Sequence, residues 1–330
     1  MDPQLIDRYA IAHYITCVLT TVVNSFTVFV IFRCSNKRRQ DRAYTVYILI
    51  IVILGCAGDV FLDLFFQPIM LLPAPCLYST GLLYTHFRVS NYAQLGFVCV
   101  LYISVLPALC ACFLYRHQAV QLPGSRFAHS LRTNHIIVTV SGCVAIAFFA
   151  SLYANVLNDA DALETMQNAF PIDVVSSAAG FFCFSNALLT DTITLAGMIT
   201  AFVLMVFVLA LIVHIFYCLT VIKDHLPPKK RNYNILMTRV LLVQASAPIV
   251  FLCIPLGSIL YMALAHISHY ELYMLCVEAI SLHATVNSLV TLALTPEYRR
   301  FLLTHLRERY KTRPMAFATP PSVPPNASTT

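Results

Sequence analysis

The chain has 330 residues, 59% of them apolar and only 11% charged, with a formal net charge of +6 and a mean hydropathy of +0.75. Soluble domains carry about 25% charged residues, so a water-covered surface of this composition is excluded. The chain is read as a membrane protein, and lipid is its solvent.

In hydrocarbon every backbone N–H and C=O must be paired within the chain, which leaves helices and closed barrels. Barrel strands would show segments of about 10 residues of alternating polarity. Instead the sequence holds apolar runs near the about 20 residues a spanning helix needs. Span one is Ile11–Phe32, span two Tyr44–Phe66, span three Asn91–Tyr115 and span four His135–Leu157. Span five lies within Thr192–Ile222, span six is Val240–Leu264 and span seven Leu272–Leu294. Between spans four and five, Pro171–Leu189 is apolar but carries Asp173, Asn186 and several serines; it reads as a loop folded over the mouth of the bundle. The expected fold is an all-α seven-transmembrane helix bundle over residues 1–296.

Basic residues in short loops mark the cytoplasmic side. Of the 21 Lys and Arg, 19 fall after spans one, three, five and seven, leaving Arg8 and Arg88 on the other side. The N-terminus is therefore expected outside. The first segment, MDPQLIDRYA, lacks the basic start of a signal peptide, and its apolar run ends in RCSNKRRQDR, so span one reads as an anchor. The positive charge sits on the expected cytoplasmic face, where anionic lipid attracts it; no nucleic-acid partner is implied. Asn326-Ala327-Ser328 falls on that face and is expected to stay unmodified.

Most of the 12 cysteines lie within spans, as small buried hydrophobes. Cys76 and Cys183 fall in loops expected outside, where a disulfide would tie the lid to the bundle; two free thiols are the alternative. No CxxC or His/Cys spacing supports a metal site, and no cofactor is expected. After Pro296, EYRRFLLTHLRERYKTR places apolar residues on one helical stripe and Arg between them, as in a helix lying on the inner membrane surface. The segments are thus an amphipathic helix over 297–312 and a disordered Pro/Ser/Thr-rich tail over 313–330.

Ionisable groups inside spans are costly, so each is a candidate for function. Asp59 and Asp63 are four residues apart, on one face of span two, and would suit a cationic or hydroxylated ligand or rearrange during a switch; the bland alternative is that Asp59 hydrogen-bonds neighbouring helices and Asp63 reaches the membrane interface. Glu278 lies toward the outer part of span seven, with His283 and Asn287 below it. Tyr92, Gln94 and Tyr102 of span three are further pocket candidates, while His13 and His214 read as structural. Pro107 in span three and Pro248 and Pro255 in span six each free a carbonyl, which makes them candidate kinks. No hydrolase motif fixes the geometry of the buried acids, so no enzymatic activity is expected. No internal repeat suggests a transporter, and span seven lacks the Schiff-base Lys of an opsin.

Four segments, in order, resemble the nematode serpentine chemoreceptors, class I and the neighbouring class H. They are QPIMLLPAPCLYSTG after span two, CFLYRHQAV at the end of span three, QASAPIVFLCIP in span six and HATVNSLVTLALTPEYRRF through span seven. The resemblance implies a G-protein-coupled receptor for an external small molecule, in the plasma membrane of sensory cells and their cilia. It places Tyr115-Arg116-His117 where rhodopsin-like receptors carry an acid-Arg-Tyr triplet, without the acid. Arg116 would then hold the inactive state and meet a heterotrimeric G protein, alongside Lys229, Lys230 and Arg231 of the third inner loop. The alternative is a transporter, or a seven-helix protein without G-protein coupling.

Overall fold

The structure, a computed structural model, describes residues 3–35, 42–72, 74, 76–120, 136, 139–140, 142–143, 146, 150, 156–170, 180–184, 192–221, 228–265 and 267–311. Most of span four, residues 171–179 and 185–189 of the lid, the side chains of Lys229 and Lys230, and the 313–330 tail lie outside them. Among the described residues of span four, Ile136, Val140 and Ile146 are helical and exposed, whereas Val156 and Leu157 are half-buried and non-helical, Val156 bridging to Phe184.

Span one is a single helix, Pro3–Ser35. It starts about two turns before the apolar run because Leu5, Ile6 and Tyr9 are taken into a core cluster. Span two is helical over Arg42–Val60 and ends in a π-helical turn, Phe61–Phe66. Gln67 then adopts a left-handed conformation, φ 42°, and its side chain donates to the Asp63 carbonyl at 2.7 Å. Span three runs unbroken from Asn91 to Val120 through Pro107, and span five covers Thr192–Val221.

Span six begins at Pro228, a residue favoured in the first turn because its missing N–H is not needed there. The helix reaches Pro248, passes through a π-helical segment, Ile249–Cys253, and resumes as Ile254–Leu264 with Pro255 in its first turn. Span seven is broken: Tyr270–Ser281 and His283–Leu294 meet at Leu282 with a bend of 41°. No proline lies at that break. The helix Pro296–Lys311 follows directly, with Tyr298 buried and Phe301 and Leu302 packed on the main core.

Among the described residues, two large apolar clusters occupy the bundle. One, near the end that carries the basic loops, joins Val30, Tyr44, Ile48, Phe113, Ile212, Leu241 and Leu292 from six helices. The other, at the opposite end, joins Tyr9, Phe66, Val98, Met262 and Tyr273 with the lid. Outward faces carry exposed apolar side chains, as Ile15, Val18, Val22 and Phe29 do along span one. Such a belt suits contact with lipid.

The all-helical expectation needs one addition. The connection after span two forms a hairpin, β1 (Pro68–Leu71) with β2 (Cys76–Ser79), and β3 (Phe182–Cys183) from the lid pairs with β2. Cys76 pairs with Cys183 in this register, and their Sγ atoms are bonded. Three tyrosines strap the sheet to the bundle. The Tyr9 and Tyr273 hydroxyls donate to the Pro68 carbonyl at 2.8 and 3.2 Å, and Tyr270 donates to Leu72. The helix Asp159–Ala169 packs Ala162 and Met166 beneath the disulfide, capped by the Asn158 side chain on the Asp161 amide. We call this the sheet end of the molecule.

Candidate functional site

Spans one, two, three and seven meet along a polar seam inside the bundle. Close approach is possible because span two presents glycines there. A β-carbon on Gly55 would lie 2.9 Å from that of Ala284, and one on Gly58 would lie 3.1 Å from the Tyr102 ring. Small residues of this kind let membrane helices bring their backbones together.

Asp59 is fully buried at this crossing. Its Oδ1 accepts from the Tyr102 hydroxyl at 2.9 Å and its Oδ2 from the backbone N–H of Ala284 at 3.0 Å. His283 Nδ1 stands 3.7 Å from Oδ1, too far for a hydrogen bond, and its ring lies edge-on to that of Tyr102. One carboxylate thus binds spans two, three and seven at the break in span seven.

One turn toward the sheet end, Asp63 faces span one. His13 Nδ1 lies 2.6 Å from Asp63 Oδ1, with both side chains buried. The other ring nitrogen, Nε2, faces Glu278 Oε1 at 3.9 Å, and Thr16 donates to Glu278 Oε2 at 3.2 Å. The Tyr9 ring packs edge-on to His13 at 4.3 Å between centroids.

Along span one, Thr16, Thr20 and Asn24 recur every four residues and meet Glu278, Thr285 and Ser288 of span seven. Further along, Gln244 of span six donates to Thr291 at 2.6 Å.

The candidates named from sequence separate into distinct places. Asp59, Tyr102 and His283 form one cluster, and Asp63 and Glu278 join His13 in a second. Tyr92 lies edge-on to Phe182 of the lid sheet. Gln94 donates to the Val89 carbonyl at 2.9 Å, tying the start of span three to the segment before it. His13 belongs to the buried polar cluster, whereas its sequence context reads as merely structural. The signal for the seam was the Thr16, Thr20, Asn24 spacing.

At the basic end Arg116 is only 3% exposed, so it is turned into the bundle. Its guanidinium carbon lies 3.8 Å from the Tyr44 ring centre, with Tyr233 of span six and Tyr115 at 5.8 and 5.9 Å. Tyr115 also stacks on Tyr44. His117 Nε2 and His214 Nδ1 of span five approach to 2.8 Å. Arg231 lies half-buried in the first turn of span six. Among the described residues, no group of His, Cys, Asp and Glu has the arrangement to hold a metal ion.

Comparison with known proteins gives the same architecture a family. No curated protein matches the chain. The crystal structure of squid rhodopsin is similar over 94% of this chain and 87% of its own, with a TM-score of 0.56 at 10% sequence identity. At that identity the likeness carries the fold alone: a seven-helix bundle of rhodopsin type. The family model of the serpentine type 7TM GPCR chemoreceptor Sri matches residues 5–302. A match over nearly the whole length decides the matter, and the chain belongs to the Sri family of serpentine seven-helix chemoreceptors.

Proposed function

We propose that this chemoreceptor detects an external small molecule at its sheet end and passes the binding event to a heterotrimeric G protein at its basic end. In this reading the sheet end lies outside the plasma membrane of a sensory cell, in its cilia, with the 19 basic residues inside. The helix Pro296–Lys311 would lie on the inner leaflet, with Arg299 and Arg300 against anionic lipid.

The observation that carries the reading is the Asp59 carboxylate, which holds three spans at a bend in span seven. A polar group shared by three helices has discrete bonded arrangements, and a ligand that prefers one of them shifts the population toward it. Span six, with π-helical backbone between Pro248 and Pro255, is the second deformable element. At its inner end Tyr233 approaches Arg116, so movement there would release the Arg for a partner.

The test is nucleotide exchange on a purified G protein, with receptor in membranes and a panel of volatile and water-soluble chemicals. The expected result is ligand-dependent exchange in the wild type, and its loss in Arg116→Ala at equal surface expression. An ion flux coupled to a chemical gradient, without exchange, would make the chain a transporter. Exchange that survives Arg116→Ala would remove Arg116 from the coupling surface.

A further inference from the structure

The connection from the hairpin to span three is short, held at both ends and exposed along its last turn. It leaves from the end of span two, where the Gly81 N–H bonds the Phe66 carbonyl at 3.2 Å. Leu82–Phe87 then forms a short helix packed against the π-helical turn, and span three starts at Asn91. Arg88 closes the short helix in the left-handed conformation, φ 52°, with its N–H on the Tyr84 carbonyl at 3.1 Å. That closure is a common helix ending, with Arg here where Gly is usual. Asn91 ties the far end to the lid by donating to the Gly180 carbonyl at 2.7 Å. Residues 85–89 are nevertheless all exposed, and Phe87, at 72%, is the most exposed large apolar side chain among the described residues.

The surface beside this segment belongs to the lipid-facing belt. The Phe97 ring, 52% exposed on span three, lies 4.7 Å from that of Phe61 in the π-helical turn, and Phe61 lies 5.8 Å from Phe65. A bilayer adds about 5–8 Å of headgroup region to each side of its hydrocarbon core. The helical rise from Phe97 back to Asn91 is about 9 Å, which brings residues 85–89 to headgroup level. Arg88 stands beside the exposed ring, its guanidinium carbon 5.3 Å from the centre of the Tyr84 ring. Among the described residues it has no carboxylate partner.

We infer that residues 85–89 dock onto phospholipid of the leaflet at the sheet end, with Phe87 entering between acyl chains and Arg88 meeting headgroup phosphate. Two features select lipid over a second copy or a soluble partner. The segment continues the apolar strip of Phe61, Phe65 and Phe97, and it sets a cation with planar, phosphate-matching donors next to an apolar ring. Aromatic rings and long basic side chains are the usual anchors at this depth of a membrane. Because the segment follows Cys76–Ser79 directly, its docking holds the disulfide-linked sheet against the membrane. The inference stands apart from ligand detection and G-protein coupling.

The chain contains no tryptophan, so Phe87→Trp supplies a single fluorescent reporter. The full-length protein is placed in nanodiscs of phosphatidylcholine, plain or brominated on the acyl chains near the headgroup, and its emission is titrated with iodide. Leu163→Trp, at a site 41% exposed on the helix Asp159–Ala169, serves as the water-facing reference. Phe87→Trp is expected to be quenched by the brominated lipid and protected from iodide, and Leu163→Trp to behave the other way. Adding Arg88→Glu sets a carboxylate against phosphate and should reduce the bromine quenching, whereas Arg88→Lys should keep most of it. Iodide quenching equal to that of Leu163→Trp, or emission indifferent to bromine, would overturn the docking. Protection from iodide without bromine quenching, found only in discs that hold two copies, would assign the patch to a second copy instead. Bromine quenching unchanged by Arg88→Glu would overturn the phosphate contact.

Discussion

Asp59 Oδ2 accepts the backbone N–H of Ala284 at 3.0 Å, so a side chain of span two caps a helix that begins inside span seven. The first turn of any helix has N–H groups without intrahelical partners, and in hydrocarbon they cannot turn to water. The break at Leu282 therefore requires an acceptor from elsewhere in the bundle. A carboxylate is suited to a helix N-terminus, where the partial positive charge favours it. Tyr102 occupies the second oxygen and fixes its direction.

Replacing Asp59 by Ala leaves both the Ala284 amide and the Tyr102 hydroxyl buried without partners. Each such group costs about 1–3 kcal/mol, so Asp59→Ala is expected to lower the melting temperature sharply. Asp59→Asn keeps one carbonyl oxygen and can serve only one of the two donors, so it should fall between. Melting curves of the two variants in nanodiscs check the order. An Asp59→Ala protein as stable as the wild type would mean that span seven holds its bend unaided.

The seam between spans one and seven makes a separate prediction. Thr20 and Thr285 share a hydrogen bond of 2.8 Å, both buried. Thr→Val changes shape little but removes the hydroxyl. Interhelical hydrogen bonds in membranes are modest because the unfolded helices find other partners, averaging about 0.6 kcal/mol. A double-mutant cycle of Thr20→Val and Thr285→Val should return a coupling of that order. A coupling indistinguishable from zero would make the seam a consequence of packing rather than a contributor to it.

Much of this architecture was legible in the sequence because the spanning runs depend on one strong variable, hydropathy. Span two could be read to its last residue: Tyr44–Phe66 ends where the π-helical turn does. The bend in span seven was not legible, because no proline marks Leu282 and the acceptor that meets the following helix, Asp59, is 223 residues away. The hairpin after span two was hidden for a related reason. Pro68–Leu71 and Cys76–Ser79 are short and apolar, and their pairing is fixed by turn geometry and by Tyr9, Tyr270 and Tyr273 from other helices. Asp63 and Glu278 stood out as costly charges in spans, but His13 did not, because only the folded bundle sets its ring between them.

The lid offers a third test. Cys76 and Cys183 close a loop of 107 residues that includes spans three and four. Cross-links over loops of this length restrict the unfolded chain, and removing one typically costs about 2–5 kcal/mol. Cys76→Ser with Cys183→Ser, or reduction of the wild type, should lower the melting temperature by the same amount. The reductant should have no further effect on the double variant. A reductant effect that persists in the double variant would point to some other disulfide.

A glycine just after the hairpin carries the fourth. A β-carbon at Gly81 would run into the backbone carbonyl of Phe65, at the close of the π-helical turn. That atom is held within a helix and cannot move as a side-chain tip would. Gly81→Ala is therefore expected to reduce folded protein at the cell surface, whereas Gly257→Ala, with open space around it, should not. Surface labelling of the two variants compares them directly.

The last prediction concerns the contact between Arg116 and Tyr44. In this sequence no acid precedes the Arg, so an ion pair with its neighbour cannot restrain it. The guanidinium lies over the Tyr44 ring, with Tyr233 of span six nearby, and in the proposed reading these rings contribute to its restraint. A desolvated cation over an aromatic face is worth about 0.5–2 kcal/mol. Removing the ring should shift the equilibrium toward the released Arg by about 2- to 30-fold. Tyr44→Leu is accordingly expected to raise nucleotide exchange in the absence of ligand. Tyr44→Phe keeps the ring face and should stay near the wild type. Arg116→Lys keeps the charge but loses the flat group that lies over the ring, so it should resemble Tyr44→Leu in losing restraint. If Tyr44→Leu leaves basal exchange unchanged while ligand still activates, the restraint on Arg116 lies with another neighbour, and Tyr233→Leu becomes the variant that raises it.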